Sequence, residues 1–252
     1  MLNNIQLYYF SPTGGTKAYG EFFCKGISKN VNTTNLGLQN SVSNSECELT
    51  VFALPVFGGR IPAIAAEKIS ALNGNGRKAV TLVVYGTRAY EDALLELNNT
   101  VKTSHFNIIA SGAVVAQHSI VPAVGHGRPD KEDMDSITAF AKKVLEKLEN
   151  NDETPVTVPG NFPYKDSMNL PAAPICLSEC TKCGKCISIC PANAIHLDED
   201  GIKTDVDSCI LCMACTSACP IKARILPEPL QNNMNEKLSA LIPIRRNNEY
   251  FL

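Results

Sequence analysis

The sequence has no excess of either charge. Its 23 Lys and Arg residues stand against 25 Asp and Glu, for a net charge of −2. A nucleic-acid or anionic-membrane binder leaves a basic footprint, and none is present. No apolar run reaches the ~18–20 residues that a spanning helix needs. The opening residues, MLNNIQLYYF, lack a basic region and a small-residue cleavage site, so they predict a cytoplasmic chain without a secretory signal. Cysteine is nearly missing from the first two-thirds of the chain, where only Cys24 and Cys47 precede Cys176. That rules against a disulfide scaffold spread over the whole chain. What remains is 252 residues, 44% hydrophobic, enough for one large domain or two small ones.

The other nine cysteines fall between Cys176 and Cys219. Cys180, Cys183, Cys186 and Cys190 read C-x2-C-x2-C-x3-C and precede Pro191. Cys209, Cys212, Cys215 and Cys219 repeat the pattern, each displaced from its counterpart by the same interval, and precede Pro220. Three thiolates on one tight loop can reach three irons of a cubane, and the fourth must come from elsewhere. In this spacing the fourth cysteine of each run serves the other cluster, as is general for the bacterial pattern. One cluster then takes Cys180, Cys183, Cys186 and Cys219, and the other Cys209, Cys212, Cys215 and Cys190. Zinc is the competing reading, but zinc sites more often join separate CxxC pairs. The segment from Cys180 to about Leu226 resembles the bacterial two-cluster ferredoxins. The resemblance implies two [4Fe-4S] clusters and one-electron transfer. Cys176 fits no place in the pattern and reads as a packed residue.

Residues 1–150 alternate strand and helix. Strands are predicted at Ile5–Phe10, Leu49–Leu54, Val80–Tyr85 and Ile108–Ala116, with a weaker one at Val31–Leu36. Helices are predicted at 16–29, 61–72, 92–101 and 131–148. This alternation means an α/β fold, a doubly wound parallel sheet with ligands at the carboxyl ends of its strands. After the first strand comes Ser11-Pro12-Thr13-Gly14-Gly15-Thr16, leading into a helix. Free amides at a helix start, loosened by glycine, make an anion nest. An ordinary Gly-rich turn explains the same residues equally well.

Two more loops open on the same edge: Pro55-Val56-Phe57-Gly58-Gly59-Arg60 and Tyr85-Gly86-Thr87-Arg88-Ala89-Tyr90. Together the three loops resemble those of the flavodoxin family. The resemblance covers residues 1–150 and implies one noncovalent FMN. By it, Ser11, Thr13, Gly14, Gly15 and Thr16 hold the phosphate. Pro55, Val56, Phe57, Gly58 and Gly59 flank the flavin ring with Tyr85, Gly86, Thr87, Arg88 and Tyr90, and Tyr90 is the candidate stacked ring. The chain departs from small flavodoxins in lacking tryptophan and in placing Arg60 and Arg88 in the flavin loops. A cation near the flavin N1 would stabilise its reduced anion; the alternative is that both arginines face solvent.

Residues 151–175 hold five of the 15 prolines and read as a semi-rigid linker able to strap the two parts together. A ferredoxin-like α+β domain follows at 176–226. The tail, 227–252, carries an apolar patch (Leu238, Leu241, Ile242, Ile244) expected to pack on a domain or a second subunit, so a homodimer is one option. His118, after the fifth strand, and His126 could each sit near the flavin or an interface, and with Tyr90 they are the candidate proton donors of a reductase; without a nearby carboxylate or metal-ligand spacing, packed or surface imidazoles are the expectation. Taken whole, the chain resembles flavodoxin–ferredoxin fusion proteins of anaerobic bacteria. Two functions follow from that. One is electron transfer between redox-protein partners, coupling one- and two-electron steps. The other is FMN-dependent reduction of a small-molecule acceptor fed by the clusters. No G-x-G-x-x-G unit supports a nicotinamide dinucleotide.

Overall fold

The computed structural model describes residues 1–38, 42–168 and 170–252; Asn169, within the predicted linker, lies outside them. The first unit runs β1 (Leu2–Tyr9), α1 (Gly15–Ile27), β2 (Ser28–Asn35), β3 (Leu49–Pro55), α2 (Ala63–Ser70), β4 (Lys78–Tyr85), α3 (Ala93–Thr103), β5 (Asn107–Val115) and α4 (Lys131–Glu149). Strands β2-β1-β3-β4-β5 are neighbours in that order and all parallel. This is the flavodoxin-like order, with its switch point between β1 and β3.

The period of two decides which helix each side chain meets. Val80, Leu82 and Val84 join Phe23 of α1 and Phe140 of α4. Ala79, Val83 and Tyr85 join Ile69 of α2 and Leu97 of α3. Both faces are therefore covered, which is why β3 and β4 are apolar almost throughout. Helix α4 opens on a capping box, in which the Asp130 carboxylate accepts from the Asp133 amide and Asp133 returns the bond.

The cysteine-rich segment comprises β6 (Ile175–Cys176), α5 (Lys185–Ser188), β7 (Ile195–Leu197), β8 (Ile202–Thr204), α6 (Ala214–Ala218) and β9 (Arg224–Ile225). Antiparallel pairs β6–β9 and β7–β8 hold it. The duplication is written into the backbone. Left-handed residues recur at the same spacing: Lys182 and Leu211, Gly184 and Met213, Asn193 and Lys222. Each run of four cysteines thus bends at equivalent points.

The tail departs from a simple appendage. Helix α7 (Glu228–Leu238) packs Leu238 against Val121 and Val124, whereas Ile242 and Ile244 stay exposed. The chain then returns as β10 (Glu249–Phe251), antiparallel to β5, and becomes the sixth strand of the first sheet. Among the described residues no helix is long and apolar enough to cross a membrane.

Candidate flavin and cluster sites

Three loops at the carboxyl ends of β1, β3 and β4 meet in one cleft. Its wall includes Thr13, Gly15 and Thr16; Pro55, Val56, Phe57, Gly58 and Gly59; and Tyr85, Gly86 and Arg88. Among the described residues the amides of Thr13, Gly14, Gly15 and Thr16 donate to no protein acceptor. Gly14 has φ 98 and open space where a Cβ would stand. Four free amides at the start of a 13-residue helix suit a phosphate. The residues present therefore fit a flavin phosphate. Ser11 is partly committed, because its Oγ accepts from the Lys17 amide at 3.0 Å.

Several side chains turn elsewhere. Tyr90 is not in the cleft wall: it donates to Glu249 of β10 at 2.8 Å and packs edge-on against Tyr85. It is a core tyrosine held by the tail, not a stacking platform. Thr87 has φ 67, which turns its side chain inward, and its buried hydroxyl has no partner. Arg60 swings away from the cleft to chelate Glu96 at 2.8 and 2.6 Å, and its guanidinium lies over the Tyr164 ring. Arg88 alone of the two arginines reaches the cleft, paired with Glu91 at 2.9 and 3.0 Å.

The proline-rich connector explains part of this. Asp92 accepts from the amides of Asn161 (2.8 Å) and Lys165 (2.7 Å), and those bonds hold its carboxyl below the usual range. Lys165 also reaches Glu91 at 2.6 Å. The connector thus straps the β3 and β4 loops. Gly59 sits under this clamp with φ 93, and a Cβ there would collide with the Glu91 carboxylate. Gly59→Ala is expected to cost about 1–3 kcal/mol and to loosen the flavin loops. Urea unfolding and flavin titration read the two effects.

The sequence marks His118 as a residue that could lie near the flavin, but not the fourth loop that carries it. Ala116, Gln117, His118 and Ser119, after β5, complete the cleft. The His118 Nδ1 accepts from the amides of Ile120 (3.2 Å) and Val121 (3.1 Å). That leaves Nε2 as the protonated nitrogen of a neutral ring. Burial, with help from the Arg88 charge, pushes its pKa from the usual 6.5 down to about 4. The unfolded chain binds a proton below 6.5 that the fold refuses, so His118 removes stability as pH falls from 6.5 towards 4. In His118→Asn that part of the pH slope should vanish in urea titrations. The ring rests on Gly86, where a Cβ would lie 2.5 Å from His118 Cδ2. No periodicity could have assigned this histidine. Its only signal was its place after a strand. His126 is exposed and outside the cleft.

The eight motif cysteines line two cavities. One is walled by Cys180, Cys183, Cys186 and Cys219, the other by Cys190, Cys209, Cys212 and Cys215. These are the same two groups of four that the spacing predicts. Among the described residues, each cavity is lined by four cysteines and by no histidine or carboxylate. A cubane spreads its thiolates over four irons, so the donor set fits clusters better than mononuclear zinc. Backbone amides already point at sulfur: Lys182 to Cys180 (3.4 Å) and Ala194 to Cys190 (3.3 Å). Burial raises the thiols of Cys186 and Cys209, and takes Cys212 up to about 12. At Cys219 burial is outweighed by the amides of residues 221–224, which lower it. Ligation would therefore release protons from the raised thiols. Cys176 lies 3.8 Å from Cys180, sulfur to sulfur, outside both groups.

Cys212 belongs to both sites. It walls the second cysteine cavity and the cleft between the flavin loops.

No curated protein matches this sequence. Among solved structures it is similar to a flavodoxin of Streptococcus pneumoniae TIGR4, at 16% identity over 57% of this chain and 99% of that one, TM-score 0.44. It is also similar to rubredoxin oxygen:oxidoreductase of Desulfovibrio gigas, at 12% identity over 59% of this chain and 36% of that one, TM-score 0.46. A third is an NADH:FMN oxidoreductase in its apo form, at 15% identity over 57% and 89%, TM-score 0.43. Residues 179–224 match the family described as the 4Fe-4S dicluster domain. By strand order at one end and family match at the other, the chain joins a flavodoxin-like α/β unit to a 4Fe-4S dicluster domain.

Proposed function

We propose that the protein carries electrons between redox-protein partners through two [4Fe-4S] clusters and one FMN held in the same chain. The supporting observation is Cys212, a ligand of the second cluster in this reading, in the wall of the flavin cleft. When bound, each cluster supplies a one-electron step and the flavin a two-electron one. The chain's own part is to hold them in series. Cys183 is exposed, so the first cysteine cavity opens to a partner's electrons. The second cavity lies between it and the cleft in this path, and Leu211 and Met213, both left-handed, bend the loop that presents Cys212. The free amides of residues 13–16 and the strapped β3 and β4 loops hold the flavin by hydrogen bonds alone.

The reductase reading needs an acid at the flavin. His118 is a neutral ring fixed by two amides, and Tyr90 is spent on Glu249. His118 lines the cleft, but a neutral imidazole is a weak acid, and Tyr90 lies outside the cleft wall, which favours electron transfer. Oxygen-free protein is expected to carry about eight irons and one FMN per chain, four irons per cubane. After flash reduction of the clusters, flavin bleaching should be first order and independent of protein concentration. Zinc in place of iron, or a rate that scales with concentration, would overturn the proposal.

A further inference from the structure

A buried cation joins the two cysteine cavities. Arg224, the first residue of β9, is 3% exposed. Its Nη1 donates to Cys176 Sγ at 3.4 Å, its Nη2 to Thr204 Oγ1 at 2.6 Å, and Nη2 lies 3.8 Å from Cys215 Sγ. Its Nε has no partner. The side chain walls the cavity of Cys180, Cys183, Cys186 and Cys219, while Cys215 belongs to the other set. Among the described residues no carboxylate pairs with it. The duplication sharpens the anomaly. Displaced by the interval that separates the two cysteine runs, the equivalent position in the first half is Ile195, an ordinary core residue. One half of the repeat keeps an apolar residue where the other has buried a guanidinium.

An unpaired buried charge is costly, and so is an unsatisfied buried donor. Both costs fall if the missing partner is an anion with acceptor sulfurs. A thiolate-ligated cubane is such an anion, and each electron it accepts makes it more negative. We propose that Arg224 tunes the reduction potentials of the cluster pair, its guanidinium donating to sulfur at the boundary of both sites and stabilising the reduced state. The step it favours is one electron passing from a low-potential redox partner to a cluster, with no bond made or broken. The inference rests on the cluster reading above.

The test uses the full-length, iron-loaded protein and potentiometric titration followed by EPR. Arg224→Gln removes the charge and keeps an amide donor. It should move at least one cluster to a more negative potential, with a tenfold or larger drop in the reduction equilibrium, about 59 mV for one electron. Arg224→Lys, which keeps the charge, should shift it less. Unchanged potentials in Arg224→Gln at full iron content would overturn the role. If that variant loads no iron, the wild type decides. Protein with 15N-guanidinium arginine should show a nitrogen coupling to a reduced cluster by pulsed EPR, lost in Arg224→Lys. Its absence also overturns the role. Wild-type protein without iron would instead remove the cluster reading itself, so the two failures are distinguishable.

Discussion

Replacing Cys212 with alanine is expected to cut the flavin off from electrons while leaving both the fold and flavin binding in place. The side chain is one of the four cysteines in the wall of the second cavity, so that cluster should be lost and iron should fall from about eight to about four per chain. The flavin loops keep their own supports: the free amides of residues 13–16, the Asp92 strap and the His118 ring do not touch Cys212. Cys212 itself walls the cleft, so flavin affinity should fall only modestly, and the comparison is made on FMN-saturated protein. Cys183→Ala is the matched control. It should lose the same amount of iron, but from the outer cavity. In that variant flash reduction of the surviving cluster should still bleach the flavin. In Cys212→Ala the flavin should stay oxidised while the surviving cluster is reduced. Equal flavin reduction in the two variants would mean that electrons do not pass through the Cys212 cavity.

This asymmetry could not be read from the spacing of the cysteines, because both runs have the same spacing. The spacing carries the grouping of four and four, since a short loop has few ways to present three thiolates. Which group faces the flavin depends on how the segment docks, and docking is set by contacts remote in sequence. The same division runs through the α/β unit. Val80–Tyr85 announces a central strand because both its faces are buried, and α4 announces itself by its apolar stripe. Loops are different. Thr87 and Arg88 are adjacent, yet the left-handed backbone at Thr87 sends one side chain into the interior and leaves the other on the cleft. Arg60 was a plausible flavin neighbour by position. Its direction is decided by Glu96, on the next helix but one, and by the Lys165 carbonyl of the distant connector. Tyr90 is settled later still, by Glu249. A strand as short as β10 has no period to detect, so the tail's return to the sheet left no mark in the pattern.

Removing residues 245–252 is expected to destabilise the α/β unit and to slow electron arrival at the flavin without changing iron content. The tail is bound at several points. Asn248 accepts the Val115 amide at 2.9 Å, and Arg246 donates to the Thr87 carbonyl at 2.6 Å. Tyr250 stacks on Phe140 with ring centres 4.3 Å apart and reaches Ser136 at 3.0 Å. Tyr250→Ala alone removes the stacked ring and its bond, for a loss of about 3 kcal/mol by analogy with buried aromatic truncations. The full deletion also exposes the β5 edge and frees Tyr90 and the Thr87 loop, so its urea midpoint should fall below that of Tyr250→Ala. The kinetic effect follows from topology. The cysteine segment leaves the first unit after α4 and is brought back to it by β10. With β10 in place the segment is held on both sides; without it the C-terminal side keeps only α7, where Leu238 packs on Val121 and Val124 and Gln231 donates to the Ile120 carbonyl, so Cys212 is held less firmly against the cleft. Cluster ligation is internal to residues 180–219 and should survive. A deletion mutant with full iron, a lowered unfolding midpoint and slower flavin bleaching is the expected combination. Unchanged bleaching kinetics would show that the connector and α7 hold the segment in place without the sixth strand.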